Sequence, residues 1–370
     1  MRIGIDCRLP TYRMGGISQY VLYLLPALAE LDKENEYILF QSRKETRDFV
    51  PETAVLWRRR DLWTPPHNRF ERWSLPLELA PHGLEVFHSP DFIPPSSGAK
   101  RRVITVHDLT FLYYPELLTD ESRRYYNEQI RWAAETADAI AVDSFATRRD
   151  VIELLSVPPK KVKAIHLAAN PLYTQDVSQD KVTAALRRHN LAPGFLLSVG
   201  TLEPRKNLPF LFQVYARLRR DLHFSEPLVL VGKKGWLYEE IYQAIAGLDL
   251  EPYILHIDSV TDEELRALYH AAAALVTPSL YEGFGLPALE AQHCGCPAVV
   301  SDRGSLPEIV GEKGLVVPLE DEARWVETLA EISADETLRQ EAIRNGRRQA
   351  AGFQWVKTAE QTLSLYLGNN

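Results

Sequence analysis

Cysteine is scarce in this sequence, whose 370 residues contain three, Cys7, Cys294 and Cys296. Three cysteines cannot form a disulfide framework, so the sequence predicts a protein of a reducing compartment. The Cys-x-Cys pair lacks the second pair of ligands that a structural zinc site needs. Buried thiols that act as small apolar side chains are the simpler interpretation.

Long apolar runs and an excess of basic charge are also absent. No run approaches the ~18 residues of a membrane-spanning helix, and the first ten residues lack the apolar core of a signal peptide. We therefore expect a cytoplasmic protein, or one at the inner face of the cell membrane. The 42 basic residues are outnumbered by 50 acidic ones. Proteins that coat nucleic acids usually have the opposite sign, so no nucleic-acid partner is expected.

The sequence does contain a regular alternation of short β-rich runs and longer helical patterns. This alternation predicts parallel sheets that are covered by helices on both faces. It is interrupted near 170–193, by two prolines and a polar run, and restarts at Phe195. We therefore predict an α/β protein of two doubly wound domains, 1–180 and 190–353. The predicted strands are 2–6, 37–40, 86–89, 102–106, 139–143, 162–165, 195–200, 228–231, 254–257, 274–277, 298–301 and 315–317.

Three strand–loop–helix junctions could bind an anion, because helix N-termini at the carboxyl ends of strands present free N–H groups. The first contains Gly15 and Gly16, which let a backbone approach a ligand closely; a plain turn is the alternative. In the helical pattern that follows, Pro26 predicts a kink or a break. The second junction, 200–207, follows a buried strand and carries Arg205 beside Lys206. It is either a phosphate site or a solvated basic pair.

The third junction, 278–290, gives the strongest signal. Gly283 and Gly285 permit a tight loop whose N–H groups can face a ligand. Glu282 in the loop and Glu290 in the following helix place two carboxylates beside those donors. Carboxylates accept hydrogen bonds well from sugar and ribose hydroxyls. The alternative is that Glu282 is a turn residue and Glu290 a surface acid at the start of a helix. It explains the combination of residues less well.

These residues resemble a known family. The segment 281–290, with a glutamate, seven residues and a second glutamate, resembles the signature of retaining GT-B glycosyltransferases of family 4. The segment 202–207, Leu-Glu-Pro-Arg-Lys-Asn, resembles that family's diphosphate-binding segment. The resemblance spans nearly the whole chain, since it also covers 15–16, 106–108, 231–234, 260–268 and 297–307.

The resemblance implies the GT-B fold, in which two Rossmann-like domains face each other across a cleft. The C-terminal domain would hold most of a nucleotide-sugar donor, and the last helix, 355–370, would pack back on the N-terminal, acceptor-side domain. Within the family the pattern is closest to bacterial mannosyltransferases that use GDP-mannose. The expected reaction is therefore retaining transfer of a hexose, mannose from GDP-mannose, to a hydroxyl of a glycan or lipid-linked acceptor.

The resemblance also implies roles for single residues. Arg205 and Lys206 would neutralise the diphosphate, and Glu290 would accept from the ribose hydroxyls. Glu282 and the backbone of 283–286 would hold the sugar and the β-phosphate. The Gly15-Gly16 loop would close on the diphosphate, and His107 would contact the sugar near the reacting carbon. The predicted catalytic residues are His107, Glu282, Arg205 and Lys206, and the predicted donor-binding residues are Gly15, Gly16, Gly200, Arg205, Lys206, Val260, Glu282, Gly283, Phe284, Gly285, Leu286 and Glu290.

Glycosyl transfer leaves negative charge on the departing diphosphate, which Arg205, Lys206 and helix N-terminal amides would stabilise. A metal ion can do the same, but the chain has no Asp-x-Asp pair to hold one. We therefore expect no metal and no cofactor beside the nucleotide sugar as co-substrate. No carboxylate stands out as a nucleophile for double displacement. The resemblance favours front-face substitution instead, in which the leaving phosphate helps to deprotonate the acceptor. His107 would be a hydrogen-bond partner or a base.

Two further segments have open interpretations. Residues 57–73 mix arginines with tryptophans, and they form either a surface for an anionic acceptor or membrane or a solvated turn. Residues 88–91 end another strand and could line the acceptor side. The function has alternatives as well. An epimerase on the same fold would turn over the nucleotide sugar without an acceptor. A non-catalytic nucleotide-sugar binding protein would not need the intact set of Arg205, Lys206, Glu282 and Glu290.

Overall fold

The computed structural model describes residues 1–12, 15–68, 70–117 and 120–368, without the side chains of 117, 120–122, 124 and 125. The chain divides into two compact units, one of Met1–Ala168 with Gln354–Asn370 and one of Ala169–Phe353. The chain first passes from one unit to the other between Ala168 and Ala169. This point lies before the segment 180–190, where the sequence pattern predicts the domain boundary. Each unit is built around one parallel sheet.

The first unit contains a seven-stranded parallel sheet. Its strands are β1 (Arg2–Asp6), β2 (Glu36–Ser42), β3 (Trp57–Leu62), β4 (Leu84–Ser89), β5 (Ala99–Val106), β6 (Ala139–Val142) and β7 (Val162–Ala164). They are arranged in the order β3-β2-β1-β4-β5-β6-β7. The helices between them are α1 (Gly16–Leu31), α2 (Glu71–Leu79), α3 (Thr110–Tyr113), α4 (Asp120–Thr136) and α5 (Phe145–Leu155).

The second unit contains a six-stranded parallel sheet of the same design. Its strands are β8 (Leu196–Val199), β9 (Leu228–Val231), β10 (Ile254–Ile257), β11 (Ala274–Thr277), β12 (Ala298–Ser301) and β13 (Leu315–Val317), in the order β10-β9-β8-β11-β12-β13. The helices are α6 (Gln179–Arg188), α7 (Leu208–Leu222), α8 (Tyr238–Gly247), α9 (Asp262–Ala271), α10 (Leu286–His293), α11 (Leu306–Val310), α12 (Glu322–Ala334) and α13 (Glu336–Ala350).

The burial pattern explains why these segments form parallel sheets. Every residue of β9, β11 and β12 is buried, as expected for strands that are covered on both sides. The helix α7 buries Leu211, Phe212 and Tyr215 along one side, which is the spacing of an amphipathic helix. Among the described residues, no helix is long and apolar enough to cross a membrane.

Three elements differ from the sequence pattern. The segment 57–62, considered as a turn or a binding surface, is the edge strand β3, in which Trp57 is buried and stacks on Tyr37 at 4.2 Å between ring centroids. Its polar composition hides it, because the arginines of an edge strand face solvent. The helix α6 lies in the segment read as a break. The helix α1 continues past Pro26 without the break that the proline predicts.

The last helix, α14 (Trp355–Tyr366), packs within the first unit. Tyr366 Oη lies 2.6 Å from His88 Nδ1, and Thr358 Oγ1 donates to the His166 carbonyl oxygen at 2.6 Å. The Trp355 ring stacks on Tyr23 at 5.6 Å between centroids. Buried hydrogen bonds and ring contacts therefore hold the end of the chain against the first sheet.

We expect that Leu365→Ala destabilises the first unit by about 2–5 kcal/mol, because it leaves a cavity under α14. Leu365 is 1% exposed, whereas Leu367, two residues later, is 47% exposed. The matched variant Leu367→Ala should change the free energy of unfolding by no more than about 0.5 kcal/mol. Urea unfolding of both variants measures the difference, and equal effects would contradict the packing of α14.

Candidate functional site

The predicted donor residues lie at the point where the second sheet reverses its strand order. The strands β8 and β11 are neighbours, and the chain continues from β8 to β9 on one side and from β11 to β12 on the other. Such a switch point opens a crevice beyond the carboxyl ends of the strands. The loops 200–207 and 278–285 follow β8 and β11, and Leu280 N donates to the Arg205 carbonyl oxygen at 2.9 Å. The fold thus joins two segments that are distant in sequence.

The side chains of these two loops form one charge cluster. Lys206 Nζ lies 2.7 Å from Glu282 Oε1, and Arg205 Nη1 lies 2.5 Å from Glu282 Oε2. Ser279 Oγ donates to Glu282 Oε1 at 2.7 Å. Arg205 also donates through Nε and Nη2 to Glu203 Oε1, at 3.0 and 2.7 Å. Two cations and two carboxylates therefore balance each other in the free protein.

The Glu282 carboxylate keeps both cations in position. Burial alone would raise its pKa, but the charges of Arg205 and Lys206, with hydrogen bonds from Lys206 and Ser279, lower the pKa to about 2. Glu282 is therefore ionised at neutral pH. In the described part of the chain Lys206 makes one ion pair, so two of its three N–H donors can serve an arriving anion.

Backbone packing fixes the geometry of this cluster. Gly200 has φ +139°, and a Cβ there would lie 2.8 Å from Lys206 Cε, so glycine is required for Lys206 to fold back over the strand end. Gly304 has φ +56°, and a Cβ there would lie 2.4 Å from the Glu282 carbonyl oxygen. Ser305 Oγ donates to that oxygen and to the Phe284 carbonyl oxygen, at 3.0 and 2.7 Å.

Glu290 lies in α10 in a different environment from that of Glu282. It is buried, and its Oε2 accepts a hydrogen bond from Tyr269 Oη at 3.1 Å. Burial is the main cause that raises its pKa to about 8, and the charge of Asp262 raises the pKa further. The hydrogen bond from Tyr269 lowers the pKa but does not outweigh these two effects. The carboxyl is thus largely protonated near neutral pH. Hydroxyl groups that donate to it would favour its ionised form.

The remaining predicted donor residues fall in two groups. In the second unit, Gly283 and Phe284 follow Glu282, Gly285 caps the N-terminus of α10, Leu286 begins that helix, and Val260 precedes the N-cap of α9. In the first unit, Gly15 caps the N-terminus of α1 and Gly16 begins it, and both are exposed. A Cβ at either glycine would meet no heavy atom of the described residues within 4 Å. The second unit therefore gathers most of the predicted donor set.

His107 follows β5 in the first unit and is hydrogen bonded through both ring nitrogens. Nδ1 lies 2.6 Å from Asp143 Oδ2, and Nε2 lies 2.8 Å from the Pro90 carbonyl oxygen. Since a carbonyl oxygen only accepts, Nε2 carries a proton. Burial would lower the pKa of His107, but the charge and hydrogen bond of Asp143 outweigh it and raise the pKa to about 9. Of its two predicted roles, the arrangement favours the hydrogen-bond donor over the base.

Several supporting residues are not apparent from the sequence. Glu203, Ser279 and Ser305 hold the charge cluster, and Tyr269 and Asp143 are the partners of Glu290 and His107. Asp143 gives a signal because it ends a predicted strand, and Glu203 and Ser279 lie within the segments 202–207 and 278–290, but nothing in the sequence indicates their partners. Across the described residues, no group of three or more His, Cys, Asp or Glu side chains is arranged to hold a metal ion. The three cysteines are buried and unpaired by disulfides.

We expect Glu290→Gln to stabilise the protein at pH 8. The folded pKa of Glu290 is about 8 and the ordinary value is 4.5, so the folded state binds the proton more tightly. The stability due to this proton is complete below pH 4.5 and is lost as pH rises toward 8, at up to ~1.4 kcal/mol per pH unit. The free energy of unfolding of Glu290→Gln should not show this decrease between pH 4.5 and pH 8, because glutamine does not ionise.

Urea unfolding from pH 5 to pH 8 measures the difference between wild type and variant. Glu263→Gln, on the exposed side of α9, is the matched control and should keep the wild-type slope. If wild type and Glu290→Gln show the same dependence on pH, the carboxyl is ionised in the folded protein and the interpretation is wrong.

Comparison with known proteins agrees with this geometry. The model of the family described as glycosyl transferases group 1 matches residues 184–349, and that of glycosyltransferase family 4 matches residues 14–171. The O-antigen chain mannosyltransferase B of Escherichia coli is 31% identical over 96% of each chain.

Two solved structures share the fold. Sucrose-phosphate synthase from Thermosynechococcus elongatus superposes with a TM-score of 0.77 at 23% identity, over 99% of this chain and 98% of that one. HepE from Anabaena, solved in complex with UDP-glucose, gives a TM-score of 0.77 at 15% identity over the full length of both chains. The predicted pair of Rossmann-like domains is confirmed, and this chain belongs to the glycosyl transferases group 1 family as a glycosyltransferase of the GT-B fold.

Proposed function

We propose that this enzyme transfers mannose from GDP-mannose, with retention of configuration, to a hydroxyl of a glycan or lipid-linked acceptor. The observation that carries the proposal is the charge cluster at the switch point of the second sheet, where ionised Glu282 holds Arg205 and Lys206. The choice of mannose is supported by the similarity to a mannosyltransferase. The use of a nucleotide sugar is supported by HepE, whose fold is the same and which was solved with UDP-glucose.

The cluster suits the departure of a diphosphate. Charge develops on the leaving group during transfer, and donors that are already oriented stabilise it without reorganisation. Lys206 supplies N–H donors for the phosphate oxygens. The Arg205 guanidinium already donates to Glu203, Glu282 and the Tyr281 carbonyl oxygen, so its contribution is a fixed positive charge beside them. Glu282 gives the cluster its fixed shape, so its role in this proposal is to position the two cations. Glu290, with its raised pKa, would ionise as it accepts from the ribose hydroxyls.

We further propose a front-face mechanism that needs no metal ion. The bond between the anomeric carbon and the diphosphate oxygen breaks, the acceptor oxygen forms a bond on the same face, and the acceptor proton passes to the leaving phosphate. Protonated His107 donates through both ring nitrogens to Asp143 and the Pro90 carbonyl oxygen. It would therefore not remove the acceptor proton, and a hydrogen bond to the sugar would replace the one to Pro90. The neutralising charge for the diphosphate would come from Arg205 and Lys206.

We propose a cytoplasmic location with contact to the inner face of the cell membrane through the first unit. Three free, buried cysteines fit a reducing compartment. Exposed apolar side chains follow β3 and continue into α2, and the Arg43 guanidinium lies 3.7 Å above the centre of the Trp63 ring. Aromatic rings beside basic groups are typical of surfaces that meet anionic lipid headgroups. The exposed apolar residues are Trp63, Phe70, Trp73 and Leu77.

We expect Arg205→Ala to weaken GDP-mannose binding at least ~100-fold, because the diphosphate loses a full positive charge and Glu282 loses one of the two cations that hold it in position. Isothermal titration calorimetry measures the affinity. Arg217→Ala, at a partly exposed position of α7, removes an arginine of the same unit that lies outside the charge cluster, and this variant should bind as the wild type does.

A thermal-shift panel of GDP-, UDP-, ADP- and TDP-sugars accompanies this measurement. GDP-mannose at 100 times its dissociation constant should add ~2.7 kcal/mol of stability to the wild type. Unchanged donor affinity in Arg205→Ala would refute the assignment of the diphosphate site. Stronger stabilisation by a UDP-, ADP- or TDP-sugar would refute the choice of donor.

We expect turnover to persist in excess EDTA and to yield a product with the α-configuration of the donor. The reason is that the proposed mechanism draws its neutralising charge from side chains and replaces the leaving group on the same face. Activity and product configuration are read together by proton NMR of the anomeric signal. Loss of activity that Mg²⁺ restores would overturn the metal-free mechanism, and a β-linked product would overturn retention.

A further inference from the structure

A small recess lies at the switch point of the first sheet, between the carboxyl ends of β1 and β4. Its volume is about 20 Å³, measured for the centre of a water-sized sphere. A cavity of roughly 10–15 Å³ on that measure already holds one water molecule, so the recess has room for one group of that size. Polar residues of the strand ends and of the segment before α2 line it, among them Asp6, His67, Glu71, Ser89 and Asp91.

The recess is built on a network of buried charges. Arg8 is completely buried, and it forms ion pairs with Asp6 and Glu71 and donates to the Thr64 carbonyl oxygen at 2.9 Å. His67 Nε2 lies 2.5 Å from Asp91 Oδ2. These contacts fix the carboxylates in place. Arg8 and His67 already neutralise part of the negative charge of these carboxylates. The recess is therefore a poor site for a further cation.

Among the described residues, two polar atoms of this lining have neither a hydrogen-bond partner nor an ion pair. Glu71 Oε2 and Ser89 Oγ make no hydrogen bond within the described part of the chain, although their side chains are 3% and 2% exposed. A buried polar atom without a partner costs free energy comparable to a lost hydrogen bond. A small group that both donates and accepts a hydrogen bond would satisfy the two atoms.

We propose that the recess binds one hydroxyl group of a sugar acceptor, which donates to Glu71 Oε2 and accepts from Ser89 Oγ. A hydroxyl has the size of the cavity and the required donor and acceptor. An ammonium group would face Arg8 and His67, and a phosphate or carboxylate would face Asp6, Glu71 and Asp91. The inference rests on the proposed function, since it assigns a subsite to the acceptor of that reaction.

The recess is also connected to His107. Pro90 lines the recess, and its carbonyl oxygen accepts the hydrogen bond from His107 Nε2 at 2.8 Å. A hydroxyl bound at Ser89 would therefore lie beside Pro90, the next residue in the chain, which contacts His107. His107 is the residue that is predicted to contact the transferred sugar. The recess thereby supplies a fixed point from which a second hydroxyl of the acceptor can be oriented for reaction.

Binding of methyl α-D-mannopyranoside and its monodeoxy analogues, followed by saturation-transfer NMR, tests the proposal. The probe should bind to the wild type, and its affinity should fall about tenfold or more in Ser89→Val, which fills the recess, and by a smaller factor in Ser89→Ala. One deoxy analogue should lack the hydroxyl that the recess binds. Its affinity for the wild type should equal the affinity of the parent sugar for Ser89→Val, and its affinity for Ser89→Val should be no lower than that. Ser42→Ala, which changes a buried serine at the end of strand β2, is the matched control and should keep the wild-type affinity.

Equal affinities in the wild type and both Ser89 variants would overturn the proposal and leave the recess as a water site. Absence of binding to the wild type would overturn it as well. Affinity for GDP-mannose, measured in the same proteins without the mannoside, reports on the proposed function alone. A wild type that binds the mannoside at Ser89 but not GDP-mannose would refute the choice of donor and leave the hydroxyl subsite standing.

Discussion

The site of the second unit depends on one ionised, buried carboxylate, that of Glu282. Taking an isolated carboxylate out of water costs several kcal/mol, and Arg205, Lys206 and Ser279 offset this cost. Because Arg205 and Lys206 come from the loop after β8 and Glu282 from the loop after β11, the ion pairs join two loops of adjacent strands. The same contacts that permit the burial of the carboxylate give two cations a fixed geometry. Structural stability and the preorganisation that we propose for a diphosphate thus have one source.

The two units use one architectural rule for different chemistry. In each sheet the strand order reverses next to the first strand of the unit, at β1 and β4 in one and at β8 and β11 in the other. A crevice opens at both points. In the second unit the crevice holds cations that suit an anionic donor. In the first unit the carboxylates of Asp6, Glu71 and Asp91 meet at a recess that suits a hydroxyl. In our proposals these two environments bind the two substrates of the transfer.

Much of the architecture could be predicted from the sequence. The strand β9 is apolar throughout, and β11 and β12 are apolar up to their last residues, Thr277 and Ser301. Such runs between helical patterns are typical of covered parallel sheets. The edge strand β3 could not be predicted in this way, because its exposed arginines look like a loop. The helix α6 was hidden by the polar residues that surround its buried positions, Val182, Ala185 and Leu186. Both failures occur where one side of an element faces solvent and the pattern of burial is weak.

The sequence by itself determined the family, the strand–helix alternation and the segments that carry Arg205, Lys206, Glu282 and Glu290. It could not distinguish the two glutamates, which belong to one motif. Only the tertiary structure decided that the pKa of Glu282 falls to about 2 while that of Glu290 rises to about 8. The physical reason is that both are desolvated, but the fold brings two cations to Glu282 and places Glu290 beside the neutral phenol of Tyr269 and within the field of the negative Asp262. Charge state in a buried site is set by neighbours in space, and the sequence pattern does not record them.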